Sequence, residues 1–539
     1  MRNANRFGWI TVVCVGVSAV VASAGMEVRY VAEILPPEID IARGLNDHGV
    51  VLGWADADSV GLGQAVKWDP ATGIMTYSGI PAGVDGFTPM GINNSGDVCG
   101  CGQDSVRGKH YKQGIYWGSG GPALLPHAGD YPSSTPRAIN DYGYIVGGGL
   151  RSVDRFVHRF GALWYAPTLS VSQVLPDLPT PPSYHEFRDI NGFREAVGEA
   201  TSPADGRLHA VRYDPFYDQT IDLGKPAGSV ESYAEAINES QVVVGYGSID
   251  GGNRNGCEAV YWDHLNIMHD VHSLLPSEPY HAGNPYSSSW ARDINDGGTI
   301  LLGAFYSEYY DVLLFTPGED AVATNVEHLL AGPSVGLDLH HAMYINNPGQ
   351  ILCYSEDSWA STLLHPYEVA AEPVPTGPAV PRSLMGGADG PDPGGCDAVF
   401  DSVTQAGTFT GHYDTCGLDT FAAMFLQDPD AKAALAGLLA DETFQYWVLD
   451  FEDGDFSAAT ITLHYDDALL ATEVGLVIAH FTDGEWENLI PTEVDIQANT
   501  LTVDLDSFSP LVLVVPEPGT LGLLALGFLA IRNRKRRKP

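Results

Sequence analysis

Seven asparagines at near-regular intervals are the residues whose type and spacing could do chemistry. They are Asn46, Asn93, Asn140, Asn191, Asn238, Asn295 and Asn346, with steps of 47, 47, 51, 47, 57 and 51 residues. Placed around a common axis, seven side-chain amides could ring a ligand. Each also stands where a tight turn needs a side-chain oxygen, and satisfying its own turn is the simpler role. Histidines offer a second chemistry. His269 and His272, with His264 nearby, could present two imidazoles on one strand face to a metal, and His340 and His341 are adjacent. Solvated loop histidines are the competing reading. Oxygen-rich runs at 250–256 and 450–455 suit calcium in composition, yet neither has the spaced carboxylates of an EF-hand loop. No cofactor is expected and no metal ligand is assigned, calcium being the one ion these loops leave open.

Cys396 and Cys416 flank 19 residues and are expected to form a disulfide, worth about 3 kcal/mol through loop entropy. Cys99 and Cys101 sit two apart on one strand and face the same way, so they do not pair with each other. There is no Gly-x-Ser-x-Gly elbow, phosphate loop or His-Glu-x-x-His pair. With 68 Asp and Glu, a glycosidase-like carboxylate pair stays open and none can be nominated. No catalytic residue is assigned, and a non-enzymatic protein is expected.

The elements that position the asparagines follow from the repeat. Each Asn ends an apolar step and is followed three residues later by Gly in five copies: Gly49, Gly96, Gly143, Gly298 and Gly349. Seven residues after it stands Gly53, Gly100, Gly147, Gly198 or Gly245; the sixth copy shifts to Gly303 and the seventh has Cys353. That is strand, tight turn, strand, because Asn and Gly accept left-handed backbone. A third strand ends in an aromatic, as in Ala65-Val66-Lys67-Trp68 and Ala259-Val260-Tyr261-Trp262. A fourth apolar segment precedes each Asn hairpin, beginning with residues 30–35. Four strands per unit of ~50 residues predict an all-β, seven-bladed β-propeller over residues 28–368. An open β-solenoid is the alternative. Residues 369–395 are rich in Pro and Gly and read as a linker. Residues 396–515 carry alternating strands at 460–465 and 500–505 and a short helix near 435–439, and predict a small β-sandwich.

The two ends are cationic and the body is not. Residues 1–24 have Arg2 and Arg6, an apolar run at 9–21 and a small-x-small site, predicting a signal peptide cleaved between Ala24 and Gly25. Residues 516–539 have Pro516-Glu517-Pro518, an apolar segment at about 519–531 long enough for a marginal transmembrane helix, and a basic end at 532–538. Between these ends 19 basic residues face 67 acidic ones. Such a body repels phosphate backbones, and nucleic acid is excluded as a partner.

The order of tripeptide, apolar helix and basic tail resembles the PEP-CTERM sorting signal of exported bacterial proteins. The resemblance implies processing by an exosortase-type membrane protease, after signal peptidase. It also implies a place in the cell envelope, at the surface or outside, anchored transiently or permanently through the C-terminus. The repeats resemble HAF-type extracellular repeats, with His209-Ala210-Val211 keeping the first two residues of that motif and the Ile-Asn half better kept. Residues 504–511 resemble the end of sandwich modules that precede such tails. These resemblances imply a structural or binding role in the envelope or matrix, toward exopolysaccharide or another surface component. An extracellular polysaccharide hydrolase or lyase on a propeller is the alternative.

Overall fold

The computed structural model describes residues 26–514 except for short stretches, the longest being 276–285, 385–395, 419–428 and 466–475. The signal cleavage site at Ala24 and Gly25 and the sorting motif Pro516, Glu517 and Pro518 lie outside the described residues, as does most of the 250–256 run. Six four-stranded antiparallel sheets follow one another as blades, each with its strands in chain order from the inside out, and the seventh blade is part of a nine-stranded sheet. Blade 4 is representative: His185–Ile190, Ala196–Thr201, Leu208–Asp214 and Gln219–Gly224.

Closure comes from the N-terminus. The outer strand of blade 7 is Met26–Ile34, which pairs along nine residues with the third strand of that blade, Ser361–Val374. Residues 30–35, expected as the strand before the first hairpin, are thus the last strand of the final blade. A closed ring of blades leaves no inner edge to pair with a stranger, and the open solenoid is ruled out.

Neighbouring blades are glued by apolar side chains, as in the cluster of Cys99, Leu125, Ile139, Ile145, Phe160 and Trp164. The aromatic that ends the third strand is a clamp. Trp164 Nε1 donates to the Pro126 carbonyl and Trp262 Nε1 to the Leu223 carbonyl, both at 2.9 Å. Several fourth strands are shorter and earlier than their apolar residues predict. In blade 6 the strand is Thr324–Asn325, and Val326–Leu329 is a 3-10 turn whose Val326 is buried beneath the sheets. Burial between blades, rather than pairing, is what those apolar residues serve.

The strand Ser361–Val374 runs on into the segment expected as a linker. Its residues 370–374 pair with residues 407–411 of the next domain, and Gly377–Leu384 is also a strand. Beyond Ala370 the strand has a partner on one side only, so Pro373 removes no needed donor. Composition alone hid this extension. The domain that follows is a sandwich of two antiparallel sheets. Its core holds Phe400, Phe409, Trp447, Ile461, Ile478 and Val503. The helix is Pro429–Ala436, earlier than expected, and buries Leu435.

Cys396 is buried, and the disulfide expected between it and Cys416 rests on a side chain, that of Cys416, outside the described residues. Cys396 opens the strand Cys396–Gln405 of one sheet and Cys416 lies on Gly407–Gly417 of the other.

Candidate functional site: the axial channel

The innermost strands surround an axial channel with a cavity of about 510 Å³, to which every blade contributes. All seven repeated asparagines meet there, buried. The side-chain oxygen closes its own turn: Asn140 Oδ1 accepts from the Tyr142 and Tyr144 amides at 3.1 and 2.9 Å. The side-chain amide does something the turn does not require. Asn46 Nδ2 donates to the Asn93 carbonyl, Asn93 to Asn140, Asn140 to Asn191, and so on around to Asn346, which donates to Asn46. These seven bonds, 2.8–3.4 Å long, clasp each blade to the next in an unbroken ring. The asparagines are therefore engaged by the fold rather than held out to a ligand.

The residue after each Asn makes a second ring at the channel mouth. Asp47, Asp141, Glu239 and Asp296 each accept a backbone N–H from the preceding blade, at 2.6–2.9 Å. Asn94 and Asn347 bridge neighbouring aspartates through their amides, and Gly192 breaks the ring because it has no side chain. Burial raises the Glu239 carboxyl above its ordinary range.

A third layer lies three residues before each Asn: Arg43, Met90, Arg137, Arg188, Glu235, Arg292 and Met343. Each falls where the inner strand slips register against its neighbour. Such a bulge inserts one residue and re-aims it, here into the channel. The bulge also explains the glycine seven residues after Asn. A Cβ on Gly198 or Gly245 would stand 2.0 or 1.9 Å from the bulge carbonyls of Glu186 and Tyr233.

Blades 3 to 6 join these bulge residues in an ion network. Arg137 Nη2 is 2.6 Å from Glu186 Oε1, and Arg159 also contacts Glu186. Arg188 Nε is 2.7 Å from Glu199 Oε2, with Glu235 Oε1 at 3.3 Å from its Nη1. Burial opposes ionisation of Glu186, yet Arg137 and Arg159 outweigh it and hold the carboxyl below its usual range. Burial wins at Glu199, whose carboxyl is raised. One step nearer the Asn, Asp189 and Asp293 accept the amides of Ile237 and Ile345 at 2.9 and 2.8 Å. Burial lifts the Asp293 carboxyl to about 8.

His269 and His272 turn to different partners, whereas His340 and His341 meet through their Nδ1 atoms. His269 Nε2 meets Asp263 Oδ2 at 3.2 Å and its ring stacks on Tyr261, while His272 Nδ1 meets Ser289 Oγ at 2.7 Å. His340 and His341 stack on Tyr310. Among the described residues no three metal-ligating side chains converge. The bulge layer was missed in the sequence. Its signal was four arginines in register, three residues before the Asn, in a body with only 19 basic residues.

Fold and channel together define a seven-bladed β-propeller joined to a β-sandwich. Residues 514–537 match the PEP-CTERM protein-sorting motif, so the protein is exported, surface-associated and carries an exosortase sorting signal. Among the described residues no helix is long and apolar enough to cross a membrane. No curated protein matches the sequence. Among solved structures the chain is similar to the β-propeller domain of the Trilobed protease from Pyrococcus furiosus, described as having an open velcro topology. That match has 7% identity and a TM-score of 0.39, covering 62% of this chain and 93% of that one. It is also similar to the Dos1 propeller, with 11% identity and a TM-score of 0.34, covering 60% and 76%. TolB from Acinetobacter baumannii gives 10% identity and a TM-score of 0.30, covering 62% and 63%.

Proposed function

We propose that the protein is a non-enzymatic binding component of the cell envelope or extracellular matrix, with exopolysaccharide as its partner and an exosortase-type protease and signal peptidase as its processing enzymes. The observation that carries this reading is an aromatic surface beside the channel mouth. Tyr142 and Phe193 stand two residues after Asn140 and Asn191, in turns joining the first two strands of adjacent blades. Phe216 and Tyr217 occupy the turn between the last two strands of blade 4. In an up-and-down blade these turns emerge at the same end. The four rings are 67, 58, 84 and 68% exposed. Leu265 and Ile267 extend the patch from blade 5. Exposed apolar patches of this kind mark binding surfaces, and aromatic faces suit the C–H faces of sugar rings. The acidic body favours an uncharged glycan. The repeats' HAF character belongs to the same reading, as an extracellular module.

A second reading, a polysaccharide hydrolase or lyase, draws on the four carboxylates that converge at the channel mouth from different blades. Each is engaged by a backbone N–H, which favours the structural role for them. The test is to incubate the purified protein with neutral and acidic polysaccharides, with and without calcium, and to measure retention and released saccharide. The expected result is retention on a neutral glycan without release, weakened at least tenfold by combining Phe193→Ala with Phe216→Ala. Release of oligosaccharide would overturn the binding role in favour of catalysis.

A further inference from the structure

The ion network leaves one side of the channel uncompensated. Arg137 and Arg188 have carboxylate partners on blades 4 and 5. Arg292, on blade 6, has only Glu235 at 3.8 Å and makes no hydrogen bond among the described residues. Arg43, on blade 1, has neither ion pair nor hydrogen bond among the described residues, and its Nε is shut away from solvent with no acceptor. Between them on blade 7 lies Tyr344, which lines the cavity and feels the charge of both arginines. Its phenol makes no hydrogen bond among the described residues, and burial, pushing it up to about 12, keeps it a donor. Met90 and Met343 flank this group and add no acceptor.

Two guanidinium groups and a phenol, all donors, thus line one side of the cavity, and the acceptor nearest them that the backbone does not already hold is Glu235, 3.8 Å from Arg292. The Arg43 Nε, with no acceptor, is satisfied only if something enters the channel to accept from it. At the channel mouth Asp47 and Asp296 present carboxylate oxygens, while the deeper acid on this side, Asp293, is engaged by the Ile345 and Ile294 amides. Three strand residues separate the Arg layer from the Asn layer, roughly 10 Å. The channel therefore has donors at depth, acceptors at the mouth, and room for one or two sugar rings between them.

We propose that the channel binds a sugar acid, its carboxylate held by Arg43, Arg292 and Tyr344 and its hydroxyls donating to the acidic girdle at the mouth. A planar carboxylate matches the guanidinium fork in two parallel bonds. A neutral sugar leaves the arginines unanswered, and a polyanion is repelled by the girdle. The site is separate from the aromatic surface, and either can fail without the other.

The experiment titrates the full-length protein with galacturonic acid, galactose, glutamate and inorganic phosphate, by calorimetry and by thermal shift. Galacturonic acid should bind saturably and raise Tm, with galactose silent. Arg43→Gln should weaken binding at least tenfold, and Tyr344→Phe several-fold. Arg43→Gln should also hold or raise the Tm of the free protein, because it removes an unanswered charge; that measurement separates a lost site from a misfolded variant. Retention on neutral glycan should be the same in Arg43→Gln as in wild type. The proposal is overturned if galacturonic acid does not bind, if it binds Arg43→Gln as well as wild type, or if galactose, glutamate or phosphate binds equally well.

Discussion

An aspartate in place of Asn140 keeps the oxygen that closes the turn and loses the amide that reaches the Asn191 carbonyl. The ionised carboxylate would instead face that carbonyl, lone pair to lone pair. Asn140→Asp should therefore cost about 2–4 kcal/mol at pH 7. Protonated, the new carboxyl can donate again, so its folded pKa lies above the unfolded value near 3.9. The variant's deficit should shrink as pH falls from 7 toward 4, read by urea unfolding at both. A deficit equal at both pH values would mean the ring bond contributes nothing. The same sign applies to Asp293 in the native chain. Its carboxyl is raised to about 8 by burial, so the unfolded state releases this proton first. The contribution of Asp293 is greatest below about pH 4 and is lost as pH rises toward 8. Asp293→Asn keeps an oxygen for the Ile345 amide and removes the titration. Its Tm should exceed that of wild type by several degrees at pH 7, with the gap closing near pH 4.

The outer strand of blade 7 is the element on which closure depends. Val31 is fully buried and pairs with His365. Val31→Asp buries a charge with no partner and should destabilise the propeller by more than about 3 kcal/mol. Hydrogen exchange should then rise first in residues 361–370, opposite the strand; uniform loss of protection across all blades would contradict a local clasp. These elements also show what a reader of the sequence can and cannot see. The Asn–Gly hairpin is legible because turn chemistry is local, and Asn46 to Gly49 carries it within four residues. The pairing of residues 26–34 with 362–370 is not, because nothing in either stretch names a partner more than 300 residues away. The arginines of the channel were visible as letters and invisible as a layer. Only the bulge, a matter of register between two strands, turns Arg43 and Arg292 inward.

At the scale of the whole molecule the formal charge of -41 sets the terms. Self-repulsion weakens the compact state and salt screens it, with a Debye length of about 8 Å at 0.15 M. Tm should rise between 10 mM and 150 mM sodium chloride and should rise equally with sodium nitrate; a shift confined to one anion would point to specific binding. The strand Ser361–Val374 has a mechanical meaning beyond its role in the fold. It is one continuous rod, gripped at one end by the propeller and at the other by the sandwich sheet. If the sorting tail tethers the sandwich to a surface while the propeller holds a partner, the load crosses this rod and its ladders along with the chain between the domains. A flexible tether would let the propeller swing and dissipate the pull. A shared strand instead transmits torque, so the channel mouth keeps a constant attitude to the surface below it when fluid drags on whatever it holds.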